Sequence, residues 1–94
     1  MLQPFRTRSS PSFERDIRIL TKRNPNLLLK VEEAAAILSV DPYNTTRRYH
    51  IKKLNAVRPG EGQWRIRIGD YRIRYDVFGG DVVLYSFRHR KEAY

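Results

Sequence analysis

The spacing of apolar positions along the 94-residue chain switches from alternate to helical and back to alternate, and each switch marks an element. Phe5-Arg6-Thr7-Arg8 alternates and suits a short edge strand. Ser9-Ser10-Pro11 then reads as a helix start, with a serine cap and proline tolerated in the first turn. Phe13, Ile17 and Leu20 fall on one stripe of a first helix that runs to about Arg23. Asn24-Pro25 ends it, because proline cannot continue a helix and pushes the residue before it out of the helical region. Leu27, Leu28, Val31, Ala34, Ala35 and Leu38 supply the inner stripe of a second helix that ends before Asp41-Pro42. The two helices form a hairpin.

From Asp41 to Gln63 the pattern breaks into loop formers and exposed charges, with a short ordered piece expected around Ile51 and Leu54. Strict alternation follows. Trp64, Ile66 and Ile68 alternate with Arg65 and Arg67, and Tyr71, Ile73, Tyr75 and Val77 alternate with Arg72, Arg74 and Asp76. Gly69-Asp70 between them is a two-residue hairpin turn. It pairs Ile68 with Tyr71, Arg67 with Arg72 and Arg65 with Arg74, so the apolar set faces the helices and four arginines share the other side. A third strand from Val82 to about Phe87 follows a turn at Gly79-Gly80. A strict turn puts Val83, Tyr85 and Phe87 on the arginine side, and one bulged residue reverses this. The fold class expected is α+β, a two-helix hairpin packed on a small twisted antiparallel sheet.

Composition narrows the function. A chain of this length with 40% hydrophobic residues and one Trp forms a single domain over residues 1–94, with a thin core and no large cofactor cavity. No apolar run approaches the roughly 18 residues of a membrane span, and the N-terminus lacks a signal-peptide core. Cysteine is absent, and His50 and His89 are too few for a typical metal site. The expectation is a cytoplasmic protein that uses neither metal nor cofactor and does not engage membranes.

Charge is placed unevenly. Residues 1–46 carry seven basic against five acidic side chains, whereas residues 47–94 carry twelve against five, so nearly all of the net +9 lies in the second half. Nine of those twelve are arginine, whose planar fork fits phosphate bidentately. Such a surface serves a polyanion, nucleic acid first, or an acidic protein partner. Arginines directly opposed on a sheet cost about 0.2–1 kcal/mol per pair, and stability does not call for them. Four on one face point to phosphate binding.

The run Gly62-Gln63-Trp64-Arg65-Ile66-Arg67-Ile68-Gly69-Asp70-Tyr71-Arg72-Ile73-Arg74-Tyr75, then Val82-Val83-Leu84 and the terminal Arg88-His89-Arg90-Lys91-Glu92-Ala93-Tyr94, resembles the RelE/ParE superfamily of toxins. Lys52-Lys53-Leu54 matches the basic-Leu element upstream of this hairpin in many members. The resemblance implies a toxin with a cognate antitoxin as partner. RelE-type members cut mRNA in the ribosomal A site, whereas ParE-type members inhibit DNA gyrase and generally lack the catalytic set. Matched motif to motif, the family's catalytic positions fall on Arg65, Arg67, Arg72, Arg88 and Tyr94, which favours the endoribonuclease branch. A non-catalytic nucleic-acid-binding relative is the remaining alternative.

One departure bears on mechanism. Well-known RelE-type members carry a lysine general base at the position of Arg67, and arginine cannot be deprotonated in a protein. His89, flanked by Arg88 and Arg90, is then either a proton acceptor or an exposed tail residue. Tyr94 either stacks on a base and assists proton transfer or frays with the terminus. Arg47, Arg48, Lys52, Lys53, Arg74 and Arg90 complete the set expected to contact RNA. Trp64 and Tyr75 belong to the core by strand parity, and His50 reads as a loop residue.

Overall fold

A computed structural model describes residues 4–92. The order is β1 (Arg6–Ser9), α1 (Pro11–Arg23), α2 (Leu27–Val40), β2 (Ile51–Lys53), β3 (Trp64–Ile68), β4 (Tyr71–Phe78) and β5 (Asp81–His89). The strands form one sheet ordered β1-β5-β4-β3-β2. All neighbours are antiparallel except β1 and β5, which run parallel. The sheet is therefore mixed, not wholly antiparallel. The two helices pack against it in the expected α+β arrangement.

Local chemistry explains the helix ends. The Ser10 hydroxyl accepts from the Phe13 N–H at 3.1 Å, and Pro11 sits in the first turn. Asn24 caps the far end, its N–H donating to the Leu20 carbonyl. On α2, Leu27, Ala34 and Leu38 are buried and Val31 partly so. Leu28, expected on the inner stripe, is 46% exposed. Successive residues turn by about 100°, so the stripe defined by Leu27 and Val31 carries its neighbour round to solvent.

The hairpin register is as expected: Trp64 pairs with Tyr75, Ile66 with Ile73 and Ile68 with Tyr71. Ile66, Ile68, Ile73 and Tyr75 join Phe13, Leu38, Val82, Leu84 and Phe87 in the core. Tyr75 is fully buried, and its hydroxyl donates to the Pro42 carbonyl at 2.6 Å. Trp64 is only partly buried; it stacks on Tyr75 and meets Tyr43 edge-on.

Two elements were only partly legible in sequence. The piece around Ile51 is a real edge strand, β2, paired with β3 through Ile51–Ile66, Lys52–Arg65 and Lys53–Trp64. On β5 the ladder slips: Tyr75 pairs with Leu84, but Arg74 pairs with Ser86. Tyr85 is the extra, bulged residue. Before the bulge Val82 and Leu84 point into the core; after it Phe87 does, opposite Ile73. The strict and the bulged alternatives thus each hold for one half of the strand. Beyond Ser9, β1 no longer covers β5, and α1 covers the freed edge instead. Ser12 donates to the Tyr85 carbonyl at 2.7 Å, and Asp16 accepts from the Phe87 N–H at 3.0 Å.

Candidate polyanion-binding cleft

Pairing arranges the basic residues of the outer sheet face in two transverse rows. Arg67, Arg72 and Arg88 are successive cross-strand partners on β3, β4 and β5. Lys52, Arg65, Arg74 and Ser86 form the row beside it on β2 to β5. Strands lie about 4.8 Å apart, so each row concentrates positive charge along a line across the sheet.

A cleft of about 600 Å³ lies over these rows. Arg65, Arg72, Arg74, Ser86 and Arg88 line it from the sheet, with Tyr85 from the bulge. Leu54, Val57 and Glu61 of the β2–β3 loop form a wall, and Glu92 closes the C-terminal side. That loop is fastened to the sheet by Asp76, which is only 2% exposed. Its carboxylate accepts the N–H groups of Gly60 at 2.6 Å, Gln63 at 2.7 Å and Gly62 at 3.2 Å. Parity alone suggests that Asp76 offsets the arginine charge; burial and these three donors give it a structural task instead. Above it, burial, the Asp76 charge and a hydrogen bond to that carboxylate push the Tyr85 phenol upward, holding it protonated.

The arginines are not equivalent. Arg72 is only 9% exposed. Its Nη1 donates to the carbonyls of Gly69 at 3.2 Å and Tyr71 at 3.1 Å, while its buried Nε has no partner. Arg74 directs Nε and Nη2 at the Gly62 carbonyl, 3.1 and 2.9 Å away, so its fork is spent on the loop. The Arg88 side chain is 54% exposed, with its Nε 3.8 Å from Asp16. An ion pair so open to water adds little, which leaves Arg88 available to an incoming anion.

The remaining expected residues scatter. Arg67 belongs to the row, but its Nη2 lies 3.2 and 3.4 Å from the two ring nitrogens of His50, beside a smaller cleft that Arg48 also lines. His89 follows Arg88 and so takes the opposite face, where its ring packs edge-on to Tyr71 at 5.3 Å. The structure does not bring His89 together with the arginines of the cleft. Lys53 is likewise on the other side, its ammonium 5.8 Å from the Trp64 ring centroid. Lys52 is exposed within the second row, and Arg47 is exposed in the α2–β2 loop. Arg90 sits 3.8 Å from Asp70 at the hairpin turn. Tyr94 lies outside the described residues.

Sequence reasoning missed Glu61, Tyr85 and Glu92 as cleft residues. Glu61 and Tyr85 depend on a loop closure and a bulge that have no local signature. Glu92 sits in the terminal run, and its acidic type among basic neighbours was the one signal present.

A family model described as ParE toxin of type II toxin–antitoxin system, parDE, matches residues 8–94. Among solved structures, a chain of the toxin–antitoxin complex RelBE2 from Mycobacterium tuberculosis is 29% identical, with a TM-score of 0.70 over 93% of this chain and 99% of that one. A chain of the RelB–RelE antitoxin–toxin complex from Methanococcus jannaschii is 27% identical, with a TM-score of 0.57 over 92% and 93%. No curated protein gives a significant match. Among the described residues, no helix is long and apolar enough to cross a membrane.

Proposed function

The chain belongs to the ParE toxin family of type II toxin–antitoxin systems, within the RelE/ParE superfamily, and from that premise we propose that it is a ribosome-dependent mRNA endonuclease that stops translation. One observation carries the reading. Arg72 is buried on the floor of the cleft with its Nε unpartnered, directly opposite Arg88. Leaving a buried charged donor without an acceptor costs stability, and the charge of a phosphate seated in the cleft over Arg72 and Arg88 would offset that cost. A surface built only for solubility has no need of a buried guanidinium whose Nε lacks an acceptor.

Cleavage of this kind uses the RNA's own 2′-OH against the adjacent phosphorus. Charge grows on the phosphoryl oxygens in the transition state, and Arg65, Arg72 and Arg88 are the cleft residues that stabilise it. Arg67 and Arg74 contribute positive potential from positions already engaged by His50 and Gly62. Lys52, paired with Arg65, extends that potential along the second row, while Arg47, Arg48 and Arg90 add to the positive field of the chain as a whole, which favours RNA. The ribosome supplies orientation of the strand, which is a large share of such a barrier.

The cognate partner is an antitoxin, as in the two solved complexes that this chain resembles. An acidic or amphipathic segment suits both the basic half of the chain and the exposed Leu28 and Leu29 of α2. The second reading, inhibition of DNA gyrase without nuclease chemistry, is favoured by the description of the matching family. Induction of the chain without a partner separates the two. Primer extension should reveal new in-frame mRNA ends. Intact mRNA together with DNA breaks would exclude the nuclease and support the gyrase reading.

A further inference from the structure

The nuclease reading leaves both proton transfers without a residue, first among them the removal of the 2′-OH proton. We infer that Glu61, held at the wall of the arginine cleft, takes it; the inference rests on that reading.

Elimination comes first. Arg65, Arg72, Arg74 and Arg88 line the cleft, and arginine cannot accept a proton. Tyr85 is held protonated over Asp76, and Asp76 already accepts three backbone N–H groups beneath the loop. Asn55 and Ser86 have neutral side chains that do not hold a proton taken from a hydroxyl. His50 is engaged by Arg67 at the second cleft, and His89 packs on Tyr71 across the sheet. Among the described residues of the cleft, the carboxylates of Glu61 and Glu92 remain.

Support of the backbone decides between them. Glu61 donates its own N–H to the Arg58 carbonyl at 3.1 Å. Gly60 and Gly62 on either side are tied to Asp76, and the Gly62 carbonyl takes both nitrogens of Arg74. Gly62 has φ +86°, and a Cβ there would lie 2.9 Å from the Arg74 Cβ, so the turn demands glycine. The loop thus presents Glu61 from a backbone fixed on both flanks. Glu92 hangs from a terminal turn through its N–H to His89. A catalytic carboxylate belongs on the better-held segment.

In the step, Glu61 removes the 2′-OH proton while the 2′-oxygen bonds to phosphorus. The P–O5′ bond breaks with its electron pair, giving a 2′,3′-cyclic phosphate. The 5′-oxygen takes a proton from water, and Glu61 returns its own to solvent, so proton count and charge balance without a metal or co-reactant. Arg72 and Arg88 carry the oxyanion charge meanwhile.

The test is single-turnover cleavage by the full chain on ribosomes programmed with a defined mRNA, across a pH series, with ribosome association measured by sedimentation. Glu61→Gln should slow cleavage by about 10²–10⁴-fold, the usual contribution of a general base, with association unchanged. It should also flatten the acid limb of the pH–rate profile, and Glu61→Asp should restore that limb. Glu32→Gln, at an exposed carboxylate of α2 outside the cleft, should cleave near the wild-type rate. Wild-type cleavage with an equally active Glu61→Gln variant overturns the assignment alone. Loss confined to Glu92→Gln overturns it in favour of the terminal turn. A wild-type chain that binds ribosomes but never cuts mRNA removes the nuclease reading, and Glu61 with it.

Discussion

The guanidinium of Arg74 is fastened to the carbonyl of Gly62, with Nη2 at 2.9 Å and Nε at 3.1 Å. One of the four hairpin arginines is therefore a loop clamp before any ligand arrives, and the other face of the same clamp is Asp76. Together they convert a glycine-rich connection into a fixed wall. Substitution of Gly62 tests this without replacing any cleft arginine. Gly62→Ala places a Cβ in the left-handed region and against Arg74, and should destabilise the protein by at least about 1 kcal/mol. Thermal unfolding should show a lowered midpoint, and an unchanged midpoint would mean the loop is not clamped as described.

Arg72 and Arg88 should both matter for toxicity, but for separable reasons. Arg88 is exposed, so Arg88→Ala should fold normally and lower cleavage by about 10²–10³-fold, the typical loss of one oxyanion donor. Arg72→Ala should lose as much activity and also loosen the hairpin turn, because its Nη1 holds the Gly69 and Tyr71 carbonyls. Arg72→Lys should recover little, since a point charge cannot hold the turn and face the cleft at once. Cell-growth arrest and melting curves on the three variants separate these effects. Full arrest by both alanine variants would move the active site elsewhere.

How much of this was readable in the sequence depends on the range of the forces involved. The Gly69-Asp70 turn and the alternation on either side set the β3–β4 register, so the arginine pairs were legible from local chemistry alone. The Ser10 cap and the Asn24-Pro25 break were legible for the same reason. β2 was legible only as a short ordered piece around Ile51 and Leu54, because three residues that include Lys52-Lys53 do not announce a strand until β3 supplies hydrogen bonds. The parallel pairing of β1 with β5 joins the two ends of the chain, and no local pattern announces it. The candidate cleft was half legible: Arg65, Arg72 and Arg88 were expected as site residues and do line it, while His89 was aimed by a bulge that local sequence left open. Glu61 reaches the cleft only because Asp76, well along the chain, holds its loop.

Acid sensitivity should reside in part in the α2–β2 loop. Burial alone would raise the Asp41 carboxyl, but bonds from the Thr46 hydroxyl and N–H and from Thr45 outweigh it, and the group sits below its ordinary value of 3.8. A folded-state value below the unfolded one means the group stabilises the fold above pH ~4 and loses that contribution as pH falls through the folded value. Asp41→Asn should therefore be less stable than wild type at neutral pH and draw level with it in strong acid. Urea midpoints measured at both ends of that range check the sign, and a gap that persists in acid would refute it.

The bulge at Tyr85 makes the sharpest structural prediction, because it takes up one extra residue and so leaves Phe87 in the core and Arg88 over the cleft. Deleting residue 85 removes the extra residue and leaves a straight ladder in which Ser86 still pairs with Arg74, Phe87 with Ile73 and Arg88 with Arg72, so every later side chain keeps its face. Phe87 stays buried and stacked on Tyr71, and Arg88 stays over the cleft. The deletion should therefore fold, losing the Tyr85 ring and the bond from Ser12 to the Tyr85 carbonyl, the bond being worth about 0.5–1.5 kcal/mol. Tyr85→Phe is the control. It keeps the bulge and the ring and removes only the hydroxyl over Asp76, which retains three backbone donors, so it should cost about 0.5–1.5 kcal/mol. Circular dichroism and chemical denaturation of the two variants give the comparison. A deletion variant that fails to fold or melts without cooperativity would show that Tyr85 is not the extra residue of the ladder, and that the arginine row is set in another way.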